Sequence, residues 1–182
     1  MDRRFKSLRR RRCRVSPSVQ IRQMKLSDLP PVFELGQKLF TAEKLPTLYR
    51  SWDDDAVVEL FGSDGETCLV AELDGRIVGF ALGAMMEKPK NAWRYGWVEW
   101  LGVRPRFKRH GVASRLLSRL TEKFIERDAR IMLVDTDEGN HDALAFFRKK
   151  GFNHETRHVY LSCNLENHPQ YIERKDTQEW FE

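Results

Sequence analysis

The feature that most constrains the fold is a basic loop with one glycine, which joins an apolar strand to an amphipathic helix. The strand ends in Leu101-Gly102-Val103, the loop contains Lys108-Arg109-His110-Gly111, and the helix begins at Val112-Ala113-Ser114. A helix N-terminus presents free backbone N–H groups and the positive end of the helix dipole. A glycine lets a ligand approach the backbone closely. The loop therefore predicts a site for a phosphate-bearing ligand.

The glycine spacing excludes two familiar phosphate-binding loops. The chain contains neither Gly-x-x-x-x-Gly-Lys-Ser/Thr nor Gly-x-Gly-x-x-Gly, so the P-loop and the dinucleotide-binding loop are both ruled out. The motif present is Lys108-x-x-Gly111-x-Ala113, which resembles the Gln/Arg-x-x-Gly-x-Gly/Ala pyrophosphate loop of the GCN5-related N-acetyltransferase (GNAT) family. Taken alone, so short a motif also fits an ordinary basic connection between a strand and a helix.

A second motif lies downstream in the order that the same family shows. The helix after the loop has an apolar face with helical spacing, formed by Ala113, Leu116, Leu117, Leu120 and Phe124. An apolar strand follows, and Asn140 then precedes a helix that carries Phe147 and ends at Gly151-Phe152. This resembles the family's pattern of an Asn that opens a helix, an aromatic on that helix and a Gly-Phe that ends it. The resemblance covers roughly residues 19–163.

The remaining patterns predict an α/β fold. Strands are predicted over residues 19–24, 67–73, 77–86, 95–103, 131–136 and 156–163. Helices are predicted after Asp28, from Asp53, from Val112 and after Asn140. The Asp74-Gly75 pair is a strong signal for a hairpin turn. The resemblance implies a GNAT-type mixed, mostly antiparallel sheet, with splayed central strands and flanking helices.

Charge divides the chain unevenly. Residues 1–14 contain eight Arg or Lys residues and one Asp, whereas the whole chain has a formal net charge of +5. The remainder is therefore slightly acidic, and we expect nucleic-acid binding of no part except the Arg-rich leader. We predict a basic, disordered leader over residues 1–17, an N-acetyltransferase domain over residues 18–164 and a polar C-terminal tail over residues 165–182.

The cysteines and the apolar runs limit the compartment and the cofactors. Cys13, Cys68 and Cys163 are scattered, which argues against a disulfide framework or a zinc site and predicts a reducing, cytoplasmic compartment. No apolar run approaches the roughly 20 residues of a membrane span. The histidines lack the spacing of a metal site, so no metal is expected.

The resemblance implies that acetyl-CoA is the cosubstrate and indicates which residues bind it. Backbone groups of the fourth strand would pair with the pantetheine amides, at Leu101, Gly102 and Val103. The pyrophosphate would be bound at Lys108, Arg109, His110, Gly111, Val112, Ala113 and Ser114. Asn140 would line the pantetheine side. Phe147 would also belong to the cofactor-binding residues, and it occupies the position of the family's tyrosine, which protonates the departing thiolate. Phenylalanine cannot donate a proton. Either another group such as Tyr160 protonates the thiolate, or water does, or acetyl transfer is not the working reaction.

Glu99 is the predicted catalytic base. An amine acceptor is mostly protonated at neutral pH and must lose a proton before it attacks a thioester. Glu99 is the acid inside the apolar strand over residues 95–103, and the family often has its base in this part of the strand. Strand alternation predicts that Glu99 shares a face with Trp97, Leu101 and Val103. The alternative is a structural acid that faces solvent or pairs with Arg94 or Arg104.

The predicted function is acetyl-CoA-dependent N-acetyl transfer to a primary amine by direct attack on the thioester. A protein N-terminus or lysine is slightly favoured as acceptor, because acidic residues 53–55 and aromatic residues such as Trp93, Tyr95 and Trp97 suit a cation. The same residues also suit helix caps and core packing. Two alternatives stay open, an acyl-CoA-binding regulatory module with weak or no turnover and an acetyltransferase for small-molecule amines. A homodimer is compatible with the sequence.

Overall fold

The computed structural model describes residues 18–41, 52–87, 93–159, 161 and 163–178. The predicted leader over residues 1–17 lies outside this part of the chain. The described residues divide into two compact units, one that ends at Asn140 and one that begins at His141. Within the described residues, no helix is long and apolar enough to cross a membrane.

The first unit is built on a five-stranded sheet whose strands neighbour one another in chain order. The strands are β1 (Gln20–Gln23), β2 (Cys68–Leu73), β3 (Arg76–Glu87), β4 (Arg94–Val103) and β5 (Ala129–Val134). The first three pairings are antiparallel, and β4 pairs with β5 in parallel. Helices α1 (Leu29–Leu39), α2 (Asp54–Asp64) and α3 (Val112–Glu126) complete the unit. The predicted fold class, a mixed and mostly antiparallel sheet flanked by helices, is therefore confirmed.

The turn between β2 and β3 follows the sequence signal. Asp74 and Gly75 both have positive φ, of 49° and 74°, and a two-residue hairpin turn with positive φ at both positions matches the twist of the flanking strands. The turn sets the first two pairs of the hairpin, and a bulge at Val78 then shifts the register, so that Ala71 lies opposite Gly79. From Gly79 to Glu87, β3 also pairs with β4.

Helix α3 packs closely on one face of the sheet because β3 and β4 have glycines beneath it. A Cβ at Gly83 would lie 2.6 Å from Cζ of Phe124, and one at Gly96 would overlap the Phe124 ring. The buried residues of α3 are Val112, Leu116, Leu117, Leu120 and Phe124. The apolar face predicted from the sequence is confirmed except at its first position, where Ala113 is half-buried and Val112 is buried instead.

The opposite face of the sheet packs against α1 and α2. Phe80 and Leu82 of β3 belong to a buried cluster with Leu35 of α1. Trp100 of β4 and Trp52 pack against this cluster, with their ring centroids 5.1 Å apart. Strand β4 therefore separates two packed layers, one formed by α3 and one formed by α1, α2 and aromatic side chains.

We expect Gly96→Ala to destabilise the protein because the added methyl group has no space beneath Phe124. Overpacking of this kind costs about 2 kcal/mol, which corresponds to a fall in Tm of roughly 4–8 °C. Gly62→Ala is the matched control, since Gly62 is exposed on α2 with nothing within 4 Å of its Cβ position. That variant should gain about 0.5–1 kcal/mol from helix propensity. Equal melting temperatures in thermal unfolding would contradict the packing described here.

The second unit contains α4 (His141–Lys149) and α5 (Pro169–Gln178). Gly151 has a φ of 95°, and the N–H of Phe152 donates to the carbonyl oxygen of Phe147 at 3.2 Å. This is the expected glycine-terminated helix end. The tail over residues 165–182, for which the sequence predicts no element, includes α5.

The strand predicted over residues 156–163 is wrong for the described part of that segment. Residues 156–159, 161 and 163 have no regular structure, and the side chains of Val159 and Leu161 are 83% and 87% exposed. Alternation of apolar and polar residues permits a strand, but a strand also needs a neighbouring strand for its backbone groups. The boundaries of β5 differ as well, since it begins at Ala129 and ends at Val134 instead of spanning residues 131–136.

Candidate functional site

Strands β4 and β5 pair over only part of β4. The register runs from Arg94 opposite Ala129 to Val98 opposite Val134, whereas β4 continues to Val103 in register with β3. Beyond Val98, within the described residues, β4 therefore has a strand neighbour on one side only. The pairing ends where β5 itself ends, at Val134, which is the place where the resemblance implies an opening between the central strands.

A β-bulge at Glu99 marks the point where the strands separate. Val98 lies opposite Gly83, and Trp100 lies opposite Leu82, so Glu99 is the extra residue on β4. A bulge bends a strand and changes which side chains share a face. Such irregularities are frequent next to active sites.

The bulge corrects the face assignment predicted from alternation. Gly96 lies under Phe124 of α3, and Val98 shares that face because it lies opposite Gly83. Past the bulge, Val103 also faces α3, whereas Trp100 packs among the aromatic rings of the other face. The prediction that Trp97, Glu99, Leu101 and Val103 share one face is therefore wrong. The physical reason is that one inserted residue shifts the period-two alternation by one position.

Glu99 is half-buried at this bulge. The two arginines considered as its structural partners are engaged elsewhere. Arg94 Nε contacts Glu87 Oε1 at 2.9 Å, and Arg104 Nε donates to the carbonyl oxygen of Ile77 at 2.9 Å. The role of Glu99 as the base stays a prediction.

The loop that leaves β4 is held against β3 and then turns sharply. The N–H of Arg104 donates to the carbonyl oxygen of Val78 at 2.9 Å, and one 3₁₀ turn spans Pro105–Phe107. Arg109 and Gly111 have φ values of 64° and 77°. A Cβ at Gly111 would meet nothing within 4 Å, so glycine is favoured there by backbone conformation and not by crowding.

Helix α3 begins at this glycine with an open N-terminus. Gly111 is the N-cap, and no side chain forms a capping hydrogen bond with it. The first helical hydrogen bond runs from the N–H of Arg115 to the carbonyl oxygen of Gly111 at 3.0 Å. The N–H groups of residues 112–114 therefore belong to the first turn, where a helix has no internal acceptors for them.

Three cationic or titratable side chains surround this N-terminus. Lys108, Arg109 and His110 are all exposed. Nδ1 of His110 lies 2.8 Å from the carbonyl oxygen of Lys108, so Nδ1 is the donor, since a carbonyl oxygen only accepts. Positive side chains and first-turn amides together favour an anionic ligand such as a phosphate group.

Asn140 lies in the turn that follows β5. Its Nδ2 donates to Thr136 Oγ1 at 3.3 Å, and its N–H donates to the carbonyl oxygen of Asp137 at 3.0 Å. The first unit therefore brings together Glu99, residues 101–103 and residues 108–114 on one continuous strand, loop and helix, with Asn140 at the end of the neighbouring strand's turn.

Phe147 belongs to the second unit. Its side chain is 9% exposed, and its ring lies 5.2 Å from the centroids of both Phe146 and Phe152. The environment of Phe147 is therefore apolar and aromatic. Tyr160, considered as a substitute proton donor, lies outside the described residues.

Sequence reasoning missed one contact at the site. Nε1 of Trp97 donates to Asp135 Oδ1 at 3.1 Å, across the end of the β4–β5 pairing. The two residues are 38 positions apart in sequence, so only the strand register brings them together. No local pattern would have identified the pair.

The described cysteines differ in environment, and neither is part of a metal cluster. Cys68 is fully buried on β2, and burial raises the pKa of its thiol to about 12. Cys163 is exposed. In the described part of the chain, no group of three or more His, Cys, Asp or Glu side chains is arranged to hold a metal ion.

Solved structures share this fold at low sequence identity. An aminoglycoside acetyltransferase from an uncultured soil metagenomic sample is 20% identical with a TM-score of 0.64, over 81% of this chain and 96% of that chain. A glucosamine-6-phosphate N-acetyltransferase from Arabidopsis thaliana is 20% identical with a TM-score of 0.61, over 81% and 99%. An aminoglycoside N-acetyltransferase in complex with CoA is 23% identical with a TM-score of 0.62, over 81% and 96%.

The model of the acetyltransferase (GNAT) family matches residues 30–152. This range includes the whole of β4, the basic loop, α3, β5 and α4, and it ends at the Gly151-Phe152 pair. The match to the family model agrees with the mixed, mostly antiparallel sheet and its flanking helices. The chain therefore belongs to the acetyltransferase (GNAT) family and is an acyltransferase.

Proposed function

We propose that this protein transfers the acetyl group of acetyl-CoA to a primary amine by direct attack of the amine on the thioester. The observation that carries the proposal is the combination of two features on one segment. Strand β4 loses its β5 neighbour after Val98, and the same strand leads into a helix that begins at a glycine with open first-turn amides. The unpaired edge of β4 suits the pantetheine arm of acetyl-CoA, and the N-terminus of α3 suits its pyrophosphate.

The residues of the first unit fit acetyl-CoA as a cosubstrate. The conformation of Gly111 leaves open space where a side chain would project, so phosphate oxygens can reach the amides of residues 112–114. Lys108 and Arg109 would contribute positive charge, and His110 lies between them and Gly111 in the loop. The backbone of Leu101, Gly102 and Val103 would pair with the pantetheine amides, and Asn140 would bind on the β5 side. Acetyl-CoA supplies the activated acetyl group.

Glu99 is the group we assign to proton removal. In the reaction, the amine nitrogen forms a bond to the thioester carbonyl carbon, the carbon–sulfur bond breaks, and the sulfur leaves with its electron pair. A protonated amine has no electron pair for this attack, so a base must first accept one of its protons. The bulge at Glu99 lies where β4 separates from β5, next to the proposed path of the pantetheine arm.

The acceptor is proposed to approach beside Trp100 and Trp52. Their rings, together with Phe40, form a half-buried aromatic wall on the face opposite α3. Aromatic faces beside a carboxylate attract a cation, which favours an ammonium group on a protein N-terminus, a lysine or a small molecule.

Asp53 is one of the acidic residues considered for acceptor binding. It serves α2 as its N-cap, and its Oδ1 accepts from the N–H of Ala56 at 3.0 Å.

A second candidate function is favoured by Phe147. A phenylalanine at this position cannot protonate a thiolate. A binding module with weak or no turnover would not need such a proton donor. Acetyl-CoA binding is common to both candidates, and release of free CoA is specific to the enzyme.

The test is a calorimetric titration of acetyl-CoA into the full chain, with free CoA as the comparison, followed by an assay of free thiol release. The acceptor panel should contain peptides with free N-termini, lysine peptides and aminoglycosides. Micromolar binding and thiol release with an amine would support the transferase. Saturable binding without release would support the binding module, and absence of binding would reject both.

Direct attack predicts that Cys68 carries no acetyl group during turnover. With a pKa of about 12, its thiolate fraction at pH 8 is about one in ten thousand, and the side chain is inaccessible. We expect iodoacetamide to leave Cys68 unmodified in the native protein at pH 8 and to modify it after unfolding, as read by peptide mass mapping. Native Cys163 is the exposed control. Acetylation of Cys68 during turnover would contradict direct attack, whereas rapid alkylation of native Cys68 would contradict its burial.

A further inference from the structure

The hydrogen bond between Trp97 and Asp135 lies where β4 and β5 separate. Trp97 is opposite Leu133, and Val98 opposite Val134 is the last pair of the register. Asp135 is the next residue of the chain, and its Oδ1 accepts from the Trp97 indole at 3.1 Å. The two side chains therefore join the strands at the closed end of the opening.

The chain that leaves β5 is held in a turn of its own. The N–H of Gly139 donates to Asp137 Oδ1 at 2.7 Å, and Thr136 accepts from Asn140. These contacts keep residues 136–140 together. The Trp97–Asp135 hydrogen bond connects β4 to the start of that turn.

We propose that Trp97 and Asp135 form a clamp that fixes where β4 and β5 separate, and thereby sets the width of the opening for the cosubstrate's arm. This inference rests on the proposed function. Paired strands lie about 4.8 Å apart, so the backbone pairs must end where an arm enters. The last backbone pairs between two strands open more readily when no side-chain contact stabilises them.

Loss of the clamp would have two consequences for the reaction. A wider opening would contact the arm less closely, which weakens binding of acetyl-CoA. It would also position the thioester less precisely relative to the Glu99 bulge, two residues from Trp97. Trp97 and Asp135 are positioning residues in this scheme, because they act through the strand backbone.

Three variants of the full chain test the clamp by calorimetric titration with acetyl-CoA. Trp97→Phe and Asp135→Ala each remove the hydrogen bond, and each should raise the Kd about three- to tenfold. The Kd of the double variant should be at most about twofold higher than that of the weaker-binding single variant, because both substitutions remove the same hydrogen bond. Asp135→Asn should have a smaller effect than Asp135→Ala, since an amide oxygen still accepts from the indole.

The control is Glu87→Ala, which removes a side-chain contact between β3 and Arg94, the first residue of β4, and should leave the Kd unchanged. A fall in Tm with unchanged Kd in Trp97→Phe and Asp135→Ala would overturn the clamp and leave a purely structural contact. Equal effects of Asp135→Asn and Asp135→Ala would overturn it in favour of a charge-dependent role. Absence of acetyl-CoA binding by the unaltered protein would instead reject the proposed function, and the clamp with it.

Discussion

Glu99→Gln should lower kcat by about 100-fold or more, while the Kd for acetyl-CoA changes by less than about twofold. Glutamine has nearly the same size and keeps hydrogen-bonding capacity, but it cannot accept the amine proton at neutral pH. Glu99 is the bulge residue of β4 at the end of the β4–β5 pairing. Because the two side chains are nearly equal in size, we expect the change to leave the strand–loop–helix segment that would bind the cosubstrate intact. The measurement is steady-state thiol release with a saturating amine, together with calorimetry.

The control for this variant is Glu122→Gln. Glu122 lies on the exposed face of α3, where its carboxylate contacts Arg119 Nη1 at 2.6 Å, and neither residue belongs to the proposed site. We expect its turnover to equal that of the unaltered protein. If Glu99→Gln retains more than half of the kcat, another group takes the proton and the assignment of Glu99 is wrong. If the Kd rises together with the loss of kcat, Glu99 contributes to the shape of the opening instead.

The parts of the fold that the sequence predicted correctly are those encoded by neighbouring residues. The Asp74-Gly75 turn needs positive φ at two adjacent positions, and both residues adopt it. The start of α3 at Gly111 and the end of α4 near Gly151 depend in the same way on local backbone conformation. These features require no knowledge of distant strands, so residue type and spacing are sufficient to predict them.

The features that the sequence did not predict depend on pairing between distant segments. The bulge at Glu99 exists only relative to Leu82 and Gly83 on β3, and the Trp97–Asp135 contact exists only relative to the β4–β5 register. The described part of the segment over residues 156–163 is not a strand for a related reason, since its alternation gives no information about a neighbouring strand. Local patterns define elements, whereas register determines which side chains meet at the site.

Gly111→Asp should weaken acetyl-CoA binding by about 100-fold or more, whereas Gly111→Asn should weaken it by about tenfold or less. Asparagine and aspartate are nearly equal in size, and both tolerate the left-handed backbone conformation better than most residues do. The open space at Gly111 leaves room for either side chain, and the φ of 77° imposes a similar backbone strain on both variants. The difference between the two variants therefore isolates the repulsion between a carboxylate and the phosphates of the ligand.

Calorimetry at two ionic strengths checks this prediction, because salt screens an exposed charge and should narrow the difference between the two Kd values. Thermal unfolding supplies the control, and we expect the two variants to have similar melting temperatures since both carry the same backbone strain. Equal affinities of the two variants at low salt would show that no phosphate lies near the start of α3. The basic loop would then be only a connection between β4 and α3, and the cosubstrate would have to bind elsewhere on the first unit.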